Sequence, residues 1–135
     1  MVEAVLQRTV RFRATHHYRR ADWSAARNRE AFGPVAEPHP HDWTVTVSVR
    51  GPLDAHGFVT DLVALDALLA EVVGSLEGAD LNAAFVELAE GGPQPSTETL
   101  ARLLWVRLSG RIPGSACLAR VHVAESPELA GEYPA

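Results

Sequence analysis

Polar and apolar side chains alternate at the start of the chain. In VLQRTVRFRATHHY, Val10, Phe12, Ala14 and His16 share one face while Arg11, Arg13, Thr15 and His17 take the other, the period of a half-buried strand. The run HDWTVTVSVRG repeats the pattern, with Trp43, Val45, Val47 and Val49 set against Thr44, Thr46, Ser48 and Arg50. Between them, ADWSAARNREAFGP predicts a short helix ended by Gly33 and Pro34. Past the turn GPLDAHG the period lengthens: Leu62, Leu65, Leu69, Val72 and Val73 make one helical stripe, with Asp61 as N-cap. EGGPQPS breaks the chain, and Ser96 or Thr97 caps a second long helix, TETLARLLWVRLSG, closed by Gly110. ACLARVHVAES and GEYPA read as two last strands. The main order, ββααββ, predicts an α+β domain: an antiparallel four-stranded sheet with two helices on one face.

Composition narrows the function. A chain of 135 residues with 47% hydrophobic content suits a single domain, 1–135, with one core. Its net charge of −5 gives no electrostatic footprint for nucleic acid or an anionic membrane. Every basic side chain is an arginine, which excludes lysine Schiff-base chemistry and leaves forked recognition of carboxylate or phosphate. The lone Cys117 excludes an internal disulfide and any CxxC motif, and reads as a small buried hydrophobe in a reducing compartment. No apolar run is long enough to span a bilayer, and MVEAVLQRTVRF lacks the pattern of a signal peptide, so a cytoplasmic location is expected.

The candidate chemistry lies in the histidines. His39 and His41 are two apart and in phase with Trp43; His16 is in phase with Phe12. If the first two strands pair antiparallel, the three imidazoles meet. Three histidines suit zinc with an open fourth position, a catalytic arrangement; hydrogen-bonded histidines at a core edge have the same spacing, which does not decide between them. His17 and His122 fall out of phase and read as structural, and His56 lies in a turn. Pro40 fixes φ and lacks an N–H, so the second strand is expected to begin at His41.

FRATHHY resembles the Phe-x-Ala-x-His segment of the 6-pyruvoyl-tetrahydropterin and 6-carboxytetrahydropterin synthases, and HPHDWTVTVSVRG resembles their His-Gly-His-Asn-Tyr strand. LEGADLNAAF stands where the family has Leu-Asp-His-x-x-Leu-Asn, PSTETLA where it has Pro-Thr-x-Glu-Asn-Leu-Ala, and VHVAESP where it has a late Glu-Thr or Glu-Ser. The resemblance implies the tunnelling fold and a homo-oligomer, often a hexamer, with active sites between neighbours. It implies a zinc ion on His16, His39 and His41, and 7,8-dihydroneopterin triphosphate as substrate. It also implies Glu125 as anchor of the pterin ring, a carboxylate matching two parallel N–H groups, with Thr97 touching the same ring.

The chain departs from the family where protons move. Val35 occupies the place of the catalytic cysteine, and Glu77 and Gly78 replace the Asp-His pair. Glu37, two residues before His39, is the best substitute base, and some folate-side branches use a glutamate in that region; Glu77 is the second candidate. Either acid also reads as a surface carboxylate. Two functions follow: a zinc-dependent pterin lyase with a non-standard base, or a module that binds zinc and a pterin or purine-like ligand without turnover.

Overall fold

The two alternating runs become strands of equal length, β1 (Glu3–His16) and β2 (His39–Pro52). They pair antiparallel over their whole length, from Glu3 opposite Pro52 to His16 opposite His39. In this computed structural model, which describes residues 2–135, β3 (Cys117–Ser126) and β4 (Leu129–Tyr133) complete an antiparallel sheet in the order β1-β2-β3-β4. The β1–β2 connection carries α1 (Ala25–Phe32). The β2–β3 connection carries α2 (Leu62–Val72), the single turn α3 (Leu81–Ala84) and α4 (Thr97–Leu108). Among the described residues no helix is long and apolar enough to cross a membrane.

The core forms because one sheet face and two helical stripes are apolar. Phe12, Trp43, Val45, Val47, Val49, Val121 and Val123 are buried against Leu65, Leu69 and Val73 of the α2 region and Leu100, Leu104 and Leu108 of α4. Each large aliphatic side chain so covered contributes about 1.5–3 kcal/mol. Asp61 caps α2 by accepting the N–H groups of Val63 and Ala64, and Ser96 caps α4 by accepting that of Thr99. Arg8 forks onto Asp66 at 2.8 and 2.7 Å, tying β1 to α2.

Two sequence expectations need correction. β2 begins at His39 rather than His41: β1 supplies partners for both His39 and Pro40, while β3 joins only from Thr44, so Pro40 lies where β2 is paired on one side alone. Cys117 is exposed, not buried. It pairs with Arg50 on the polar phase of β2, and its neighbour Leu118 takes the core position.

The free edge of β1 is covered near its end. Gly78 donates to the Arg13 carbonyl at 2.7 Å, Thr15 to that of Ala79 at 3.0 Å, and Asn82 exchanges two hydrogen bonds with the backbone of His17. Gly78 sits at φ +75°, in the left-handed region. The loop that fixes the last turns of β1 thereby fixes His16.

Candidate metal centre

Register brings the histidines together. His16 faces His39 across the β1–β2 pair, and Ala14 faces His41. Their ring centres lie 4.5 Å (His16–His39), 5.1 Å (His16–His41) and 4.9 Å (His39–His41) apart. Trp43 closes the base of the cluster, edge-on to His16 and His41, and is locked by donating its indole N–H to the Ala14 carbonyl at 3.1 Å. From β3, Glu125 joins them, 8% exposed, with Oε2 2.7 Å from His41 Nε2 and 3.2 Å from His16 Nε2. One ligand atom from each of His16, His39, His41 and Glu125 falls within 4.8 Å of all the others.

The donor set fits a metal ion. His16 Nδ1 donates to the Pro95 carbonyl at 2.9 Å and His39 Nδ1 to the Glu37 carbonyl at 2.8 Å, which leaves each Nε2 as a lone pair. Despite their closeness to Glu125, the Nε2 atoms of His16 and His41 are buried without a hydrogen-bond partner. A buried lone pair facing a carboxylate is costly, and a cation between them reverses the sign of that interaction. Burial also pushes the His16 and His41 imidazoles below their ordinary pKa, toward the neutral form a metal requires.

The other expected site residues are less uniformly placed. Thr97 is buried at the start of α4 and donates its hydroxyl to Glu98 at 3.2 Å; Pro95, two residues earlier, holds His16. A Cβ on Gly131 of β4 would lie 2.7 Å from the Glu98 nitrogen and 2.8 Å from the Thr97 hydroxyl, so only glycine allows this close seat. Glu37 places its carbonyl, not its carboxylate, on the cluster: the carboxylate is 71% exposed and 3.9 Å from Arg29. Glu77 accepts the Arg13 N–H at 2.6 Å, beside the edge of β1. Val35 accepts the Tyr18 N–H through its carbonyl. Cys117, at the distant start of β3, does not join the cluster, and His122 keeps the opposite sheet phase from Glu125.

One participant was missed from the sequence. Tyr18 lies edge-on to His16 at 5.2 Å, and its phenol is pushed up to about 12 by burial and by the charges of Glu125 and Glu98. Its position beyond the end of β1 gave no strand phase to read. Glu125, expected as the anchor of a pterin ring, stands in the cluster with the histidines, in phase with Val121 and Val123 on β3.

The known proteins agree with this architecture. The family model for 6-pyruvoyl tetrahydropterin synthase matches residues 5–135. A Drosophila melanogaster 6-pyruvoyl tetrahydrobiopterin synthase is 30% identical over 97% of this chain and 82% of its own. The Caenorhabditis elegans 6-pyruvoyl tetrahydropterin synthase superposes with a TM-score of 0.86 at 24% identity, over 98% of this chain and 96% of that one. A Plasmodium vivax 6-pyruvoyltetrahydropterin synthase, solved with its catalytic glutamate replaced by cysteine, has a TM-score of 0.60 at 15% identity, over 98% of this chain and 97% of that one. The sheet with its helices is therefore the tunnelling fold, and the chain belongs to the 6-pyruvoyl tetrahydropterin synthase family, a family of lyases.

Proposed function

We propose that this protein is a zinc-dependent lyase of the pterin synthase type, acting on 7,8-dihydroneopterin triphosphate or a close relative. The observation that carries the reading is the pair of buried, partnerless Nε2 atoms of His16 and His41 beside Glu125. His16, His39 and His41 would hold the ion, which when bound supplies Lewis acidity toward the substrate's side-chain oxygens. Glu125 would accept the amino and ring N–H groups of the pterin as a fork, and Thr97 would orient the same ring from the start of α4. Glu37 would take the proton. Its carbonyl is fixed on His39 while its carboxylate is loosely held, so side-chain rotation moves the base without moving the ligand. Glu77, exposed at the β1 edge, would serve as second proton carrier toward a neighbouring subunit of a homo-oligomer, a hexamer built as a dimer of trimers. The catalytic glutamate of the Plasmodium vivax protein supports a carboxylate in such a role.

A second reading, a binding module without turnover, is favoured by the engagement of both acids: Glu77 on the Arg13 N–H and Glu37 toward Arg29. Incubating zinc-loaded protein with dihydroneopterin triphosphate and resolving products by chromatography and mass spectrometry separates the two. Triphosphate release with a 6-pyruvoyl, 6-carboxy or 6-hydroxymethyl pterin establishes the lyase. Glu37→Gln should then lower turnover roughly 10²–10⁴-fold and leave zinc and ligand bound; unchanged turnover removes Glu37 from the mechanism. No product, with tight pterin binding that Glu125→Ala abolishes, establishes the binding module.

A further inference from the structure

Tyr18 follows His16 by two residues, and its half-buried side chain is held on several sides. Its backbone N–H donates to the Val35 carbonyl at 2.9 Å, and the N–H of His17 before it to the Asn82 side-chain carbonyl at 3.0 Å. The ring lies edge-on to His16 at 5.2 Å and to Phe32 at 6.0 Å. Phe32 is stacked in turn on Trp23, over which the Arg27 guanidinium lies 4.1 Å from the ring centre. A side chain packed in this way has few rotamers open to it, so its hydroxyl keeps one place.

That place is beside two carboxylates. The charges of Glu125 and Glu98 both bear on the Tyr18 hydroxyl, and Glu125 Oε2 lies 3.2 Å from the Nε2 of the His16 ring that Tyr18 touches. Among the described residues the hydroxyl makes no hydrogen bond; only burial and those two charges act on it. Its neighbours have committed their protons. Ser96 donates its hydroxyl to Thr99 at 3.1 Å and Thr97 to Glu98 at 3.2 Å, while His16 and His39 spend their Nδ1 protons on backbone carbonyls. Tyr18 therefore brings a free donor to a neighbourhood of acceptors. A phenol keeps its proton at neutral pH.

We propose that Tyr18 is a specificity-determining residue, whose phenol donates to the ring carbonyl of a ligand that lays its amino and ring N–H groups on Glu125. The inference rests on the reading of Glu125 as ring anchor, made above. Two carboxylate oxygens followed by a hydroxyl present acceptor, acceptor, donor. A 2-amino-4-oxo pyrimidine edge presents the complement, with its amino group, ring N–H and carbonyl in that order. Pterins carry this edge, and so does guanine. The carboxylate alone grips any ring with two adjacent N–H groups, whereas the phenol adds the demand for a carbonyl beside them. A ring without that carbonyl leaves the donor unpaired, and unpaired polar groups are what give such sites their discrimination.

Tyr18→Phe keeps the ring and its contacts and removes only the donor. Zinc-loaded wild type and variant are titrated by calorimetry with 7,8-dihydroneopterin and, separately, with guanosine. Cobalt-substituted forms are compared by visible absorption, which reports the geometry of the histidine ligands. Dihydroneopterin affinity should fall about tenfold in the variant, while zinc affinity and the cobalt spectrum of the ligand-free protein stay as in wild type. Equal dihydroneopterin affinity in the two proteins overturns the role of Tyr18 and leaves the pterin reading standing. A loss that comes with weaker zinc binding or a changed spectrum overturns it as well, because it assigns Tyr18 to the support of His16. Guanosine binding that depends on Tyr18, without dihydroneopterin binding, upholds the donor and overturns the pterin reading instead. Binding of neither ligand overturns both.

Discussion

Four side chains from three strands converge at one end of the sheet, whereas the two carboxylates suited to moving protons lie nearby and point elsewhere. His16, His39, His41 and Glu125 are each set by strand register, and their ligand atoms fall within 4.8 Å of one another. Glu37 follows a 3₁₀ turn and Glu77 sits in the loop after α2, so no ladder of hydrogen bonds dictates where either carboxylate goes. The difference teaches that strand register preorganises the cluster, while the proton transfer proposed above would need a side-chain rotation or a second subunit.

The strand-built half breaks most severely at its base. Trp43→Ala removes the fully buried ring beneath His16 and His41 and should cost about 3–5 kcal/mol in denaturant unfolding, with zinc affinity falling alongside. A smaller loss is expected from Gly131→Ala. The new methyl forces back the start of α4, costs about 1–3 kcal/mol, and loosens the Pro95 carbonyl from His16; zinc affinity should drop roughly tenfold or more. A Gly131→Ala protein with unchanged zinc affinity would show that α4 does not position His16.

The loop-built half is sharpened by Gly78→His, which puts a side chain at φ +75° beside the edge of β1. It should cost about 1–2 kcal/mol, because a side chain is strained in the left-handed region. The mildest probe is pH. Burial lowers the His16 and His41 pKa values below 6.5, so at mildly acid pH the unfolded chain binds protons that the folded one does not. Metal-free protein should therefore be most stable above about pH 6.5 and lose stability as pH falls, by at most about 1.4 kcal/mol per pH unit for each histidine. A flat denaturation midpoint between pH 7.5 and 5.5, values chosen to span roughly one unit either side, contradicts the neutral, buried imidazoles.

Much of the fold was legible because periodicity reports burial. Phe12, Trp43 and Val45 alternate as the sheet requires, Leu65 and Leu69 recur as a helix requires, and Asp61 and Ser96 mark the helix starts in the chemistry of a cap. The histidine trio was legible for the same reason. Pairing partners are not written in a strand's own pattern, so Pro40 misled: its cost depends on which neighbour β2 has at that point, and there only β1 is present. Cys117 was misread because one residue of phase separates it from the buried Leu118. The direction of the Glu37 carboxylate was beyond reach, since a loop side chain follows its local partners, here Arg29, and no period records them.

The contrast between the two halves is tested most directly by an equilibrium zinc titration against a competing chelator, on wild type, His16→Ala, His39→Ala, His41→Ala and Glu37→Gln. The account predicts one zinc per chain, affinity reduced by more than about 100-fold in each histidine variant, and wild-type affinity in Glu37→Gln. Zinc binding that survives loss of His39 or His41, or that falls as far with Glu37→Gln as with a histidine variant, would contradict it.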